Sequence, residues 1–188
     1  MNLQKQIEKY IPFNKQEEKD KQLILRYMSE NKDILTRENE IAHVTASAWV
    51  VNKTRTKVLM VYHNIYQSWA WTGGHADGEE DLLHVAMREV EEETGVTHVK
   101  PIQQGIFSLE VISVNGHVKR EKWVSAHTHF NLTYFLEADE KEKIRKREEE
   151  NSDVQWIPIQ EIELMSKEKW MKENVYSKLK EKMQQLGN

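Results

Sequence analysis

The segment LLHVAMREVEEETG, residues 82–95, places apolar residues at helical spacing and then crowds four glutamates into positions 89 to 93 before stopping on a glycine. Stepping about 100° per residue from Leu82 puts Leu83, Ala86, Met87 and Val90 on one face, which has to lie against a core. Glu89, Glu92 and Glu93 fall within an arc of roughly 100° beside that face, with Glu93 at its edge, while Glu91 points away. An exposed acidic helix end explains this arrangement poorly. Like charges one turn apart cost about 0.2 to 0.5 kcal/mol per pair, anions in a last turn oppose the helix dipole, and an unpaired buried carboxylate costs more. One hard divalent cation, taking oxygen donors from carboxylates a turn apart, relieves all three penalties.

The rest of the chain is suited to surround such a helix. With 188 residues, 38% of them apolar, and six tryptophans, it can build the core of one ordinary domain. A net charge of -4 provides no general basic field for nucleic acid. The absence of cysteine excludes disulfides, a thiolate nucleophile and cysteine-bound zinc. The charged N-terminus is unlike a signal peptide and no apolar run reaches the roughly 18 residues of a membrane span, so a cytoplasmic protein is expected.

Leu3, Ile7, Tyr10 and Ile11, then Leu23, Ile24, Tyr27 and Met28 after Pro12, predict a helical N-terminal extension over residues 1–40. HVTASAWVV and KVLMVYH read as strands separated by NKTRT, QSWAWTGG as a third strand ending in glycines, and residues 80–94 as a helix closed by Gly95. Two longer strand patterns follow, joined by a predicted turn at Asn115-Gly116. Residues 137–153 hold 13 charged side chains in 17 and read as a solvated loop or frayed helix before the strand VQWIPI. Met171, Val175, Leu179, Met183 and Leu186 form one apolar stripe on a terminal helix.

Across residues 74–96 the pattern is Gly74, five residues, Glu80, seven residues, Arg88-Glu89-Val90, one residue, Glu92-Glu93, one residue, Gly95-Val96. It resembles the Nudix box at every defining position, and a gap-free match of 23 residues is highly specific. The resemblance implies a Nudix hydrolase domain over residues 41–188, an α/β/α sandwich with a mixed sheet, and hydrolysis of a diphosphate bond in a nucleoside diphosphate linked to another group. It implies Mg2+, with Mn2+ as a substitute, on Glu89, Glu92 and Glu93, one of which acts as base toward the attacking water. Gly74 and Gly95 would permit the tight loops, and Arg88 would orient the site by pairing with acidic neighbours, Glu80 first. Glu148, Glu149, Glu150 and Asp153 stand where relatives recruit a further glutamate, or are simply solvated.

Departures from family patterns leave the substrate open. Thr72 replaces a common proline. Glu110 and Val111 stand where ADP-ribose enzymes often carry proline, and Ile112 and Ser113 where dinucleoside polyphosphate enzymes often carry tyrosine. Histidine is the distinctive residue: His63 ends a strand, His75 follows the glycines, and His127 and His129 share one strand face. His75, His127 and His129 are candidates to bind substrate phosphate or a further metal ion, against local packing. Trp71, with Trp69, offers a base-stacking face or a core contact. A small nucleotide derivative is the expected partner, a homodimer is possible and a membrane is not expected. A non-hydrolytic nucleotide sensor is the alternative, although it would not need all three glutamates. An isopentenyl-diphosphate-type isomerase is disfavoured by the missing cysteine, and RNA decapping by the acidic balance.

Overall fold

The computed structural model describes residues 2–119 and 121–186. At its centre two parallel strands, β1 (Ala42–Asn52) and β9 (His127–Ala138), pair from Ala42 opposite Thr128 to Asn52 opposite Ala138. The other strands of the sheet are antiparallel to their neighbours. β2 (Lys57–His63) and β4 (Thr72–His75) share the free side of β1, and β3 (Ser68–Ala70) continues from β2. β5 (Val99–Pro101) and β6 (Ser108–Val114) share the free side of β9, and β10 (Asn151–Pro158) closes the edge beyond β2. The result is a mixed eight-stranded sheet.

Helices cover both faces, as a buried parallel pair requires. On one face lie α1 (Leu3–Lys9), α2 (Lys15–Glu30) and α3 (Leu82–Thr94), burying Ile7, Ile24, Val85 and Val90 against Val44, Ala46 and Leu132. The N-terminal helices therefore share the core of the sheet. On the other face lie α4 (Ile162–Met165), α5 (Lys169–Met171), a π-helical turn over Lys172–Tyr176, and α6 (Ser177–Gln185), packed on Trp49, Val51 and Met60. The architecture is an α/β/α sandwich. No helix among the described residues is long and apolar enough to cross a membrane.

Several elements depart from the sequence reading. The third strand is two short ones: β3 pairs with β2 and β4 with β1, so the chain changes partner at Trp71. Asn115-Gly116 is not a hairpin turn but the link from β6 into a separate ribbon, β7 (His117–Lys119) with β8 (Lys122–Val124). The Trp123 ring lies over Gly116 in the space a Cβ would need, and the reversal falls beside Glu121, whose φ is 63°. On the terminal helix Met171, Val175, Leu179 and Met183 are buried, but Leu186 is 49% exposed because the helix ends at Gln185.

The same terminal helix also buries charge. Lys178, 6% exposed, sits 2.9 Å from Glu110 and 3.1 Å from Glu17, and Lys182 lies 3.0 Å from Glu17. Glu110 accepts hydrogen bonds from Asn131 and Thr133, and Asn131 accepts from Thr45 and Ser47, so one ladder crosses the sheet from α2 to β1. Burial tends to raise the Glu17 carboxyl, but Lys178, Lys182, Tyr10 and the Phe13 N–H bring it down to about 2.

A depressed carboxyl stabilises the fold above its unfolded value, and that stability disappears as pH falls from about 4.5 toward 2. Removing Lys178 takes the cation from the buried Glu110 and leaves Glu17 with Lys182 alone, and breaking a buried pair in this way typically costs about 3 to 5 kcal/mol. Lys178→Ala should therefore lower the melting temperature at pH 7 by roughly 10 °C. Circular-dichroism melts against pH would show this deficit shrinking on acidification if the ladder is its cause.

Candidate active site

The site is assembled where β4 runs into α3. Asp81 caps the helix, its Oδ1 accepting the His84 N–H at 3.1 Å, so the helix begins after Glu80, which is exposed. At the other end Gly95 takes a left-handed φ of 74° and its N–H donates to Glu91 O at 2.8 Å. A left-handed cap favours glycine. The Arg145 side chain also packs into the space its Cβ would fill.

Between these ends the glutamates meet different surroundings. Glu93 is 4% exposed, tied to β4 by the Gly73 backbone, and its Oε2 is buried without a hydrogen-bond partner. Burial first, then the charges of Glu89 and Glu150, hold its carboxyl well above the ordinary range. Glu89 is half-buried against Gly74, where a Cβ would collide with its carboxylate, and burial and Glu92 push it up as well. Glu92 is more exposed and already paired, 3.0 Å from Arg147 and 3.7 Å from Arg88. Glu91 is exposed.

Arg88 does not reach back to Glu80. It lies 3.5 Å from Glu89 and 3.7 Å from Glu92, both within one turn of its own position. Arg147, which the sequence did not single out, arrives from the segment between β9 and β10 and bridges Glu92 to Glu150 at 3.0 and 3.5 Å. Glu150 is thus drawn to the site, Glu148 and Glu149 are exposed, and Asp153 bonds locally to Val154 and Gln155. Nothing in the spacing of a charge run marks one arginine within it for this contact.

Among the residues proposed to touch substrate, His75, His127 and His129 come together, and His43 from β1 joins them. His129 is driven down to about 2 by burial and by the surrounding imidazoles, and burial also lowers His43. Both rings are therefore neutral. His63 stays apart, its Nδ1 accepting the Ile65 N–H at 3.2 Å beside Tyr66. Trp71 is half-buried and stands edge-on to Tyr176 with ring centres 5.8 Å apart, while Trp69 is buried.

The family described as NUDIX domain matches residues 41–179, and the chain belongs to it. An RNA pyrophosphohydrolase from Pelagibacter ubique is 29% identical over 165 residues, covering 86% of this chain and all of that protein. Among solved structures, a Nudix hydrolase from M. smegmatis superposes with a TM-score of 0.57 at 13% identity, covering 77% of this chain and 87% of that one. The dihydroneopterin triphosphate pyrophosphohydrolase of E. coli gives 0.53 at 17% identity, covering 72% and 92%. These structures share the fold.

Glu93 also sets a pH dependence. A carboxyl raised by folding contributes stability below its unfolded value of about 4.5, and that contribution is lost as pH rises through its folded value. In chelator, wild-type melting temperatures should fall as pH climbs from 4.5, and Glu93→Gln should flatten that slope. Parallel curves for the two proteins would show that Glu93 is not a buried, uncompensated acid.

Proposed function

We propose that the chain is a divalent-metal-dependent pyrophosphohydrolase that cleaves a diphosphate bond in a nucleotide-linked substrate by attack of water on phosphorus. The observation that carries this reading is the Glu93 carboxylate, buried with one oxygen unpartnered and flanked by Glu89, while the two arginines nearby engage Glu92 and Glu89. Oxygen donors of this kind suit Mg2+ or Mn2+, held by Glu89 and Glu93 with Glu92 completing the set. Such an ion lowers the pKa of a bound water and neutralises charge developing on phosphate oxygens.

The chain's own groups supply the rest. Among the three carboxylates we assign Glu89, half-buried against Gly74 beside Glu92 and Glu93, as the base that takes the proton from the attacking water. Water oxygen bonds to phosphorus, the bridging P–O bond breaks, and the departing phosphate carries away the electron pair. Arg88 and Arg147 hold Glu92 beside Glu89 and add positive charge for an incoming phosphate. Trp71 offers an aromatic surface next to the glycines for a base. A sensor that binds without turnover would have no use for an uncompensated Glu93.

RNA enters the substrates to be tested because the Pelagibacter relative is an RNA pyrophosphohydrolase. Nucleoside triphosphates, nucleotide sugars, ADP-ribose, dinucleoside polyphosphates and triphosphorylated or capped RNA should be assayed for phosphate-containing products with and without Mg2+. One class should turn over only with metal. Glu89→Gln and Glu93→Gln should each lower its kcat by at least about 100-fold with the fold intact. Nucleotide binding with no turnover of any class would instead support the sensor, and wild-type rates in both variants would sink the mechanism.

A further inference from the structure

Four imidazoles from three strands converge on the sheet face opposite α3: His43 near the start of β1, His75 at the end of β4, and His127 and His129 at the start of β9. One nitrogen from each lies within 4.8 Å of all the others. Five of the six ring-centre distances are 4.9 to 5.1 Å. Bonds of about 2.0 to 2.1 Å to a tetrahedral ion would set the nitrogens about 3.3 Å apart and the ring centres roughly 5 Å apart. The ring centres already stand at that spacing, and the nitrogens, within 4.8 Å of one another, need only small ring rotations to close on an ion.

Their protons are also arranged for it. His43 Nδ1 lies 3.0 Å from Asn39 O, and His127 Nδ1 lies 2.8 Å from Ser125 O. A carbonyl only accepts, so in each ring it is Nδ1 that donates, and the tautomer with its one proton there turns a bare Nε2 into the cluster. Carbonyl-anchored imidazoles of this sort are the usual support for a metal ligand. His43 is 4% exposed, and its Nε2 has no hydrogen-bond partner. His127 Nε2 and His129 Nε2 are 3.0 Å apart and share one proton, which a metal ion would displace. Ring packing alone would leave the buried His43 nitrogen unsatisfied, a cost that a ligand removes.

We propose that His43, His75, His127 and His129 bind one transition-metal ion of the zinc class, at a site separate from the glutamates of α3. The donor set contains no carboxylate, which disfavours Mg2+ and Ca2+ and suits zinc and its neighbours. Four protein ligands make a closed, structural centre. Arg37 and Asp77, the charged side chains that act on His43, pair with each other through two contacts of 2.7 Å. The ion would clamp the end of β4 to β1 and β9. His75 directly follows Gly74, the residue against which Glu89 rests, so the clamp fixes one wall of the catalytic module.

The test uses the full chain stripped with chelator and then held in excess Mg2+ to occupy oxygen sites. It is titrated with Zn2+, with bound metal read by elemental analysis after desalting, and with Co2+, read by its visible d–d bands. One equivalent of Zn2+ and the spectrum of four-coordinate Co2+ are expected. Since losing only a supporting contact costs 10 to 100-fold in affinity, His43→Ala and His129→Ala should each weaken Zn2+ at least about 100-fold. His127→Ala, at a less buried position, should do the same with its circular-dichroism spectrum unchanged. Glu89→Gln and Glu93→Gln should retain the Zn2+ while losing turnover. No tight Zn2+ binding, binding indifferent to the histidine variants, binding lost with the glutamates, or six-coordinate Co2+ would each overturn the proposal.

Discussion

The parallel pair of β1 and β9 is buried on both faces, so every polar side chain it carries has to find its partner inside the protein. Along one face of these strands the requirement is met in two contrasting ways. Thr45, Ser47 and Asn131 pass their hydrogen bonds to Glu110 and from there to Lys178, and the ladder closes on itself. Two residues back along the same strands, His43 and His129 point into a cluster of four rings in which His43 Nε2 is buried without a hydrogen-bond partner. A closed network rigidifies a core; one with a buried nitrogen left over can take a ligand.

The carboxylates divide in the same manner. Glu17 and Glu110 are buried with lysines in contact, and the C-terminal helix delivers both cations. On α3 Glu93 is buried and Glu89 half-buried, no ion pair to a lysine is found for either among the described residues, and the arginines beside them divide between Glu89 and the exposed Glu92. Folding stability argues for the first arrangement and against the second. This weakly compensated arrangement persists because the rest of the fold holds it: Gly74 makes room for Glu89, and the cap at Gly95 ends the helix just after Glu93.

How much of this was legible follows from the range of each interaction. The strands, the helices and the placement of Glu93 at the edge of a buried face come from periods of two and 3.6 residues, which are properties of single segments. The Gly74 to Val96 pattern identified the family, whose domain matches residues 41–179. His43, Arg147 and Lys178 escaped notice because their meaning lies in partners distant along the chain, across a parallel register or a loop that no local pattern encodes. Asn115-Gly116 shows the converse failure. A strong local turn signal was overridden where β7 and β8 form their own ribbon and Trp123 covers the glycine. Arg88 was assigned a partner by sequence spacing, but Glu80 precedes the helix, so helical geometry does not bring the two together.

The same logic explains why positions on β6 that differ among relatives say so little about substrate here. Glu110 is 1% exposed and locked to Lys178, and Ile112 stands opposite His129 on β9. A side chain that must complete a buried ladder is unavailable to contact a nucleotide, whatever its counterpart does elsewhere. On the proposed function, selectivity falls to groups that remain adjustable at the glutamates. The segment between β9 and β10 is one such region, since it brings Arg147 and Glu150 to α3 while most of its other charges face solvent. Its charge run, which reads as featureless along the sequence, is therefore divided by the fold into a solvated part and a short part that shares the electrostatics of Glu92 and Glu93.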